Sequence, residues 1–138
     1  MGVEVVFHDN LKEVMKKIDE TSKARMLESV NEVRNKTLET LSGSRSGVVY
    51  KVPRTNRTYT ASAPGEPPAV MTGELRQSIK SGIEGEGDKL MGFVGTEKKH
   101  GPMMEFGTRR GIAPRPWLRK SFEQSEAKMK EIFTRIWF

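Results

Sequence analysis

The chain has 138 residues, of which 35% are hydrophobic and 30% are charged, so it is long enough for one domain with a lean core. It contains no cysteine, which excludes disulfides and thiolate metal sites. Its formal net charge of +6 favours an acidic partner, whether protein or nucleic acid.

The first ten residues, MGVEVVFHDN, lack a basic region followed by an apolar run, so we expect no signal peptide. No stretch approaches the roughly 20 apolar residues of a membrane-spanning helix. We therefore expect no membrane contact and a cytosolic location after synthesis.

Residues 3–7 are rich in β-branched and aromatic side chains, which predicts a first short strand. Asp9 or Asn10 can then cap a helix, because a short side-chain oxygen accepts hydrogen bonds from the free amides of a first turn. From residue 11 to residue 41 the apolar residues recur mostly every three or four positions, which predicts a helix on the order of 45 Å long. We expect it either to bend near Thr21-Ser22 or to leave part of its apolar stripe for a partner, with the N-terminal half packed on a sheet.

Two strands are predicted next, over residues 48–52 and 58–61, with a turn containing two arginines between them. Tyr50 and Tyr59 would then be cross-strand neighbours. Residues 62–69, SAPGEPPA, contain three prolines and one glycine, which excludes a helix or a central strand. We expect an extended surface segment here, which can bind a partner or act as a plain linker.

The middle of the chain predicts a short helix over residues 73–81, capped by Thr72, and then a hairpin tip over residues 83–89. A strand follows over residues 90–95. Its two glycines, Gly92 and Gly95, indicate a close approach of another part of the chain.

Residues 100–122, which we call the joint, organise the C-terminal part of the chain. Residues 102–106 predict one short helix that Gly107 stops, and residues 108–111 predict a basic turn. Pro116 suits the first turn of a last helix, because its missing amide costs nothing there. We expect this helix to reach the C-terminus and to dock its final aromatic residues on the first helix.

The predicted fold class is α+β, because helices and strands are segregated along the chain. We expect one domain over residues 1–138. A small antiparallel sheet would pack against a long N-terminal helix and a C-terminal helix, with a flexible hairpin and proline-rich arm over residues 43–71.

No catalytic pattern is visible in the sequence. Two histidines, His8 and His100, cannot form a histidine–cysteine metal site, and neither a nucleophile elbow nor a phosphate loop occurs. Glu84, Glu86 and Asp88 resemble part of a calcium loop but lack its final bidentate acid. We expect no enzymatic activity, cofactor or metal.

Non-specific nucleic-acid binding is an alternative function. Arginines could contact phosphates and aromatic side chains could stack on bases, although no recognised reader motif accompanies them. The candidates are Arg54, Arg57, Arg109, Arg110, Arg115 and Arg119, with Tyr50, Tyr59 and Trp117.

Two pairs of segments carry a resemblance. The first is SAPGEPPA at residues 62–69 with TGELRQSI at residues 72–79, and the second is MEFGT at residues 104–108 with APRPWL at residues 113–118. In this order and spacing, they resemble the two signatures of the head–tail joining proteins of long-tailed bacteriophages. A tyrosine often precedes the second signature in that family, and a phenylalanine often stands in place of Trp117.

The resemblance implies a structural virion protein of the neck, or tail-completion protein, that is not an enzyme. It implies a homo-oligomeric ring between the connector, or head-closure protein, and the tail terminator or tail tube, in the virion after assembly in the host cytoplasm. DNA in the channel is a further possible non-specific contact, and a tail terminator of the same fold is the alternative role. The interface candidates are Arg54, Arg57, Pro64, Gly65, Glu66, Pro67, Glu105, Phe106, Gly107, Thr108, Arg109, Arg110, Pro114, Arg115, Pro116 and Trp117.

Overall fold

The structure is a computed structural model that describes residues 2–3, 10–69 and 73–137. Apart from Val3, the strand predicted over residues 3–7 lies outside the described residues. The predicted helix caps Asp9 and Thr72 also lie outside them.

The first helix, α1, runs from Leu11 to Thr40 and stays helical through Thr21-Ser22. Its buried residues are Ser29, Val30, Val33 and Thr37, all in the C-terminal part. The expectation that the N-terminal half packs on a sheet is wrong, because apolar residues of that half remain largely exposed.

The predicted hairpin is confirmed as strands β1 (Val49–Lys51) and β2 (Thr58–Thr60), which pair antiparallel. Tyr50 lies opposite Tyr59, and their ring centroids are 5.9 Å apart. The prediction that these two tyrosines are cross-strand neighbours is therefore confirmed.

A one-turn helix, α2 (Glu74–Gln77), is followed by strand β3 (Lys80–Glu84). After a short 3-10 turn, strand β4 (Met91–Gly95) returns and pairs antiparallel with β3 along its full length. The β part of the described chain is thus two separate two-stranded sheets rather than the single small sheet predicted.

The helix predicted over residues 73–81 is wrong in its second half, where the chain forms β3. Leu75 and Ile79 were assigned to one helical face, and both are indeed buried in the same cluster. Burial alone does not distinguish one helical turn followed by a strand from a continuous helix. Pairing with β4 satisfies the backbone amides and carbonyls of residues 80–84, and that partner is distant in sequence.

Strand β4 lies against the C-terminal part of α1, and Gly92 makes this approach possible. A Cβ at Gly92 would collide with Val30 Cγ2 and lie 3.0 Å from Met26 Sδ. The close approach predicted at Gly92 is confirmed, whereas a Cβ at Gly95 would have no heavy atom within 4 Å.

Two further helices complete the fold, α3 (His100–Phe106) and α4 (Leu118–Thr134). Helix α4 packs along α1, where the small buried side chains Ser121 and Ser125 allow a close approach. The Ser121 hydroxyl donates to Thr40 Oγ1 at 3.0 Å. The α+β fold class, with both long helices packed together, is therefore confirmed.

Arg25 of α1 binds the last turn of α4 and the segment that follows it. Its guanidinium donates to the backbone oxygens of Ile132, Arg135 and Ile136 and lies 5.2 Å from the Trp137 ring centroid. The expected docking on the first helix is confirmed for Trp137, although α4 itself ends at Thr134.

Candidate assembly surface

The joint turns sharply at Gly107, as predicted. Gly107 has φ +73° and ψ −177°, a conformation that is open essentially only to glycine. Its amide donates to Met103 O at 2.9 Å, and a Cβ here would lie 2.6 Å from Ile112 O. The chain then forms the basic turn, in which the Thr108 amide donates to Ile112 O at 3.0 Å.

Glu105 caps helix α4 from outside the helix. Its Oε2 accepts hydrogen bonds from the amides of Trp117 at 2.8 Å and Leu118 at 2.9 Å, and its Oε1 accepts one from Arg119 at 3.1 Å. The first amides of a helix have no partner within it, and a negative charge is favourable at this end. One carboxylate therefore satisfies three amides and fixes where α4 starts relative to α3.

Trp117 lies inside the protein. Its side chain is 2% exposed, and its indole Nε1 donates to Gly101 O at 3.0 Å. The prediction that Trp117 contacts a neighbour directly or stacks on a base is therefore wrong. Its place is in the core, together with Leu41, Leu75 and Ile79.

Arg115 joins the joint to the proline-rich segment. Its guanidinium donates to Ser62 Oγ at 2.6 Å, to Ser62 O at 3.1 Å and to Ala113 O at 3.0 Å. A second link runs from the Gly65 amide to Pro114 O at 3.2 Å. The two sequence signatures, about fifty residues apart, thus form one hydrogen-bonded unit.

Glu66 attaches the proline-rich segment to Ser46, on the side away from Arg115. Its carboxylate accepts hydrogen bonds from the Ser46 hydroxyl, the Ala63 amide and the Ser46 amide, and these bonds lower its pKa to about 2. Arg45 beside it donates to Pro68 O at 3.0 Å and to Thr40 O at 2.6 Å, and its partial burial lowers its pKa.

These bonds attach residues 62–68 to the body of the protein in this structure. Pro64 and Gly65 are exposed in a turn, while Pro67 is half-buried and Pro68 is buried. The flexibility of the arm over residues 43–71 stays a prediction.

Five arginine candidates are exposed, and four of them lie in two turns. Arg54 lies in the hairpin turn with φ +64°, and Arg57 lies at its end. Arg109 and Arg110 lie in the basic turn. None of the four forms an ion pair with another described residue, whereas Arg119 pairs with Glu123 at 3.2 Å.

The remaining candidates lie around the turn. Phe106 is largely exposed, Thr108 and Pro116 are half-buried, and Pro114 is exposed. The structure thus divides the predicted interface set into surface residues and residues that hold the joint together.

An apolar groove of about 710 Å³ lies beside the joint, between α1, β4, α3 and α4. Val30, Phe93, Phe106, Phe122 and Met129 are among its lining residues. We refer to it as the groove. The sequence analysis did not predict the groove, although three large apolar residues of its lining, Phe93, Phe106 and Phe122, are visible in the sequence.

In the described part of the chain, no three His, Asp or Glu side chains are placed to hold a metal ion. None of its helices is both long enough and apolar enough to cross a membrane. Comparisons of the chain with protein-family models, with curated proteins and with solved structures found no match.

Proposed function

We propose that this chain is a head–tail joining protein of a long-tailed bacteriophage, which forms a ring at the neck between the DNA-filled head and the tail. The observation that carries the proposal is the hydrogen-bonded unit made by the two signature segments. Arg115 and Pro114 of the second signature bind Ser62 and Gly65 of the first. A shared structural unit gives a physical reason for the two signatures to occur together.

In this proposal the joint sets the direction of α4. Glu105 and Gly107 determine where α3 ends and α4 begins. The exposed arginines of the hairpin turn and the basic turn lie outside this rigid unit, so they are available to an acidic neighbouring ring or to DNA in the channel. A ring of identical subunits requires a head-to-tail interface that closes on itself.

The experiment is electron microscopy of lysates from the parent phage with this gene disrupted. We expect DNA-filled heads beside separate, finished tails, because joining alone is lost. Empty heads or absent tails would contradict the proposal and assign the protein to packaging or to tail termination. Normal virions would contradict any role in assembly.

Non-specific nucleic-acid binding is the second candidate, favoured by the exposed arginines without ion pairs. Phosphate contacts of this kind weaken steeply as salt rises. Fluorescence anisotropy of labelled duplex DNA with the purified protein at physiological salt separates the candidates. Tight binding that is lost when Arg109 and Arg110 are replaced by glutamine would favour the nucleic-acid binder, and weak binding would leave the joining role preferred.

A further inference from the structure

The β1–β2 hairpin has little support from the rest of the protein. Strand β1 is exposed along its whole length, and Val49 in it is 60% exposed. The two strands pack mainly on each other, and a two-stranded hairpin alone is only marginally stable in water. The base of the hairpin is fixed, because Glu66 binds Ser46 on one side and Arg115 binds Ser62 on the other. The free end of the hairpin is therefore presented to a partner.

This free end is cationic. Residues 51–57 contain Lys51, Arg54 and Arg57 and no acidic residue, and we call them the cationic tip. None of the three forms an ion pair with another described residue. Among the described residues, Arg54 is the one residue other than glycine at positive φ, with φ +64°. Such a conformation is unfavourable for a residue with a side chain and persists mainly at functional positions, which marks the tip as a binding surface.

The same chain carries an acidic counterpart between β3 and β4. Residues 84–88, EGEGD, hold three acidic residues within five positions, more than any other five-residue stretch of the sequence, and we call them the acidic turn. Glu86 lies 3.5 Å from Lys23, whereas Glu84 and Asp88 form no ion pair with a described residue. The acidic turn is therefore a largely unneutralised negative surface on a chain whose net charge is +6.

Exposed apolar side chains accompany both charged surfaces. Beside the cationic tip these are Val49 and Tyr50 of β1. Beside the acidic turn, Met91 of β4 is 61% exposed and Phe93 is also exposed. Gly92 between them faces α1, so Met91 and Phe93 lie on the opposite face of the sheet. DNA phosphates would neutralise the cationic tip but leave the apolar side chains in water, whereas the β3–β4 hairpin offers acidic and apolar groups together.

We infer that the cationic tip of one copy of this chain docks on the acidic turn and the exposed β4 face of a second copy. Among the described residues, no ion pair joins the two surfaces within one copy, so both are available to neighbours. Opposite charges and matching apolar faces on one chain select that chain as its own partner. This inference rests on the proposed function and deepens it, because it supplies the head-to-tail contact that a ring needs.

The first test exchanges the charges, with self-association measured by analytical ultracentrifugation over a range of protein concentrations at physiological salt. The Arg54→Glu/Arg57→Glu variant makes both surfaces acidic. The Glu84→Lys/Asp88→Lys variant makes both surfaces basic. Each variant alone should associate at least about 10-fold more weakly than the wild type, because like charges then face each other. An equimolar mixture of the two restores opposite charges at every contact and should associate within about 3-fold of the wild type.

Matched controls carry the same change of charge elsewhere on the surface. Arg109→Glu/Arg110→Glu alters the exposed basic turn and should associate like the wild type. Glu13→Lys/Glu126→Lys alters exposed acids of α1 and α4 and should also associate normally. Unchanged circular dichroism and thermal melting of each variant confirm that it is folded.

Arg54→Gly separates binding from folding. Glycine adopts positive φ without strain, so the melting temperature should stay the same or rise. Loss of one interfacial charge should weaken association about 3-fold. A role of Arg54 in the hairpin alone would give the opposite result, with a lower melting temperature and unchanged association.

The inference is overturned if the wild type stays monomeric at every concentration, if the mixture of charge-exchanged variants fails to associate, or if the controls are equally disruptive. Loss of DNA binding in Arg54→Glu/Arg57→Glu, with self-association unchanged, would assign the cationic tip to nucleic acid instead. Separate heads and tails after gene disruption, without recovery in the mixture, would refute this contact and leave the proposed function standing. Normal virions after gene disruption, with recovery in the mixture, would contradict the proposed function alone.

Discussion

The clearest test of the joint is the removal of the Glu105 carboxylate. Glu105→Ala deletes the acceptor for three amides at the start of α4, those of Trp117, Leu118 and Arg119. No residue at the helix start replaces it, because Trp117 occupies the N-cap position and provides no side-chain cap. We expect a less stable protein in which α4 frays at its first turn.

The size of the effect follows from the three bonds. Loss of an N-cap acceptor costs about 0.5–2 kcal/mol, and a negative charge near a helix N-terminus contributes about 0.3–1 kcal/mol more. Two of the three amides are partly buried, so water replaces the carboxylate poorly there. Together these effects predict that Glu105→Ala lowers the free energy of unfolding by roughly 3 kcal/mol.

Glu105→Gln gives an intermediate case. Its single carbonyl oxygen can keep the two bonds that Oε2 accepts, but the charge and the bond from the Arg119 amide are lost. We expect a loss of about 1 kcal/mol. The matched control is Glu123→Ala, which removes an exposed carboxylate in a surface ion pair and should cost less than about 1 kcal/mol.

Urea denaturation followed by tryptophan fluorescence measures these differences, because Trp117 is buried at the site of the change. The expected order of stability is wild type and Glu123→Ala, then Glu105→Gln, then Glu105→Ala. If Glu105→Ala were no less stable than Glu123→Ala, the carboxylate would not hold the joint together and the reasoning would be refuted.

Three further predictions concern the same unit. Gly107→Val should lower the free energy of unfolding by roughly 3 kcal/mol and block head–tail joining in a complementation assay, because it adds a clash with the Ile112 carbonyl to a backbone conformation that only glycine adopts. The control is Gly111→Ala, which is also at positive φ but in open space and should support joining. Arg115→Lys, which loses the planar fork that binds Ser62, should speed limited proteolysis in the proline-rich segment at unchanged fold, and equal cleavage rates would contradict this. Glu66 has a pKa of about 2 in the folded protein against an ordinary value of 4.5, so its contribution to stability is present above about pH 4.5 and is lost as the pH falls toward 2. In the Glu66→Gln variant, the urea midpoint should therefore change less between about pH 4.5 and pH 2 than it does in the wild type. An identical pH profile of the two proteins would show that the hydrogen bonds of Glu66 do not stabilise the fold.

Several elements were predictable from the sequence because they depend on the conformational preferences of residues close together in the chain. The spacing of apolar residues predicted α1 and most of α4, and two short strand-forming stretches on either side of a turn predicted the hairpin. Gly107 was predictable as a helix stop because few other residues adopt its backbone conformation. Such features depend on neighbours within a few positions in the chain.

Other features depended on distant partners and were therefore missed. Strand β3 exists because β4 pairs with it, and its sequence continues the apolar spacing of the helical turn before it. Trp117 was predicted at an interface, yet its contacts with Gly101 and with the core residues around it place it inside the protein. The groove required four elements to be brought together before it existed.

By itself, the sequence determined the fold class, the two long helices, the hairpin and the turn at Gly107, because each follows from residue preferences over short distances. Only the tertiary structure decided which arginines bind inside the protein and which stay exposed. Arg115 and Arg109 look alike in sequence, but only Arg115 meets Ser62, across 53 positions of the chain. Contacts between distant segments depend on packing, and packing is a property of the folded chain as a whole.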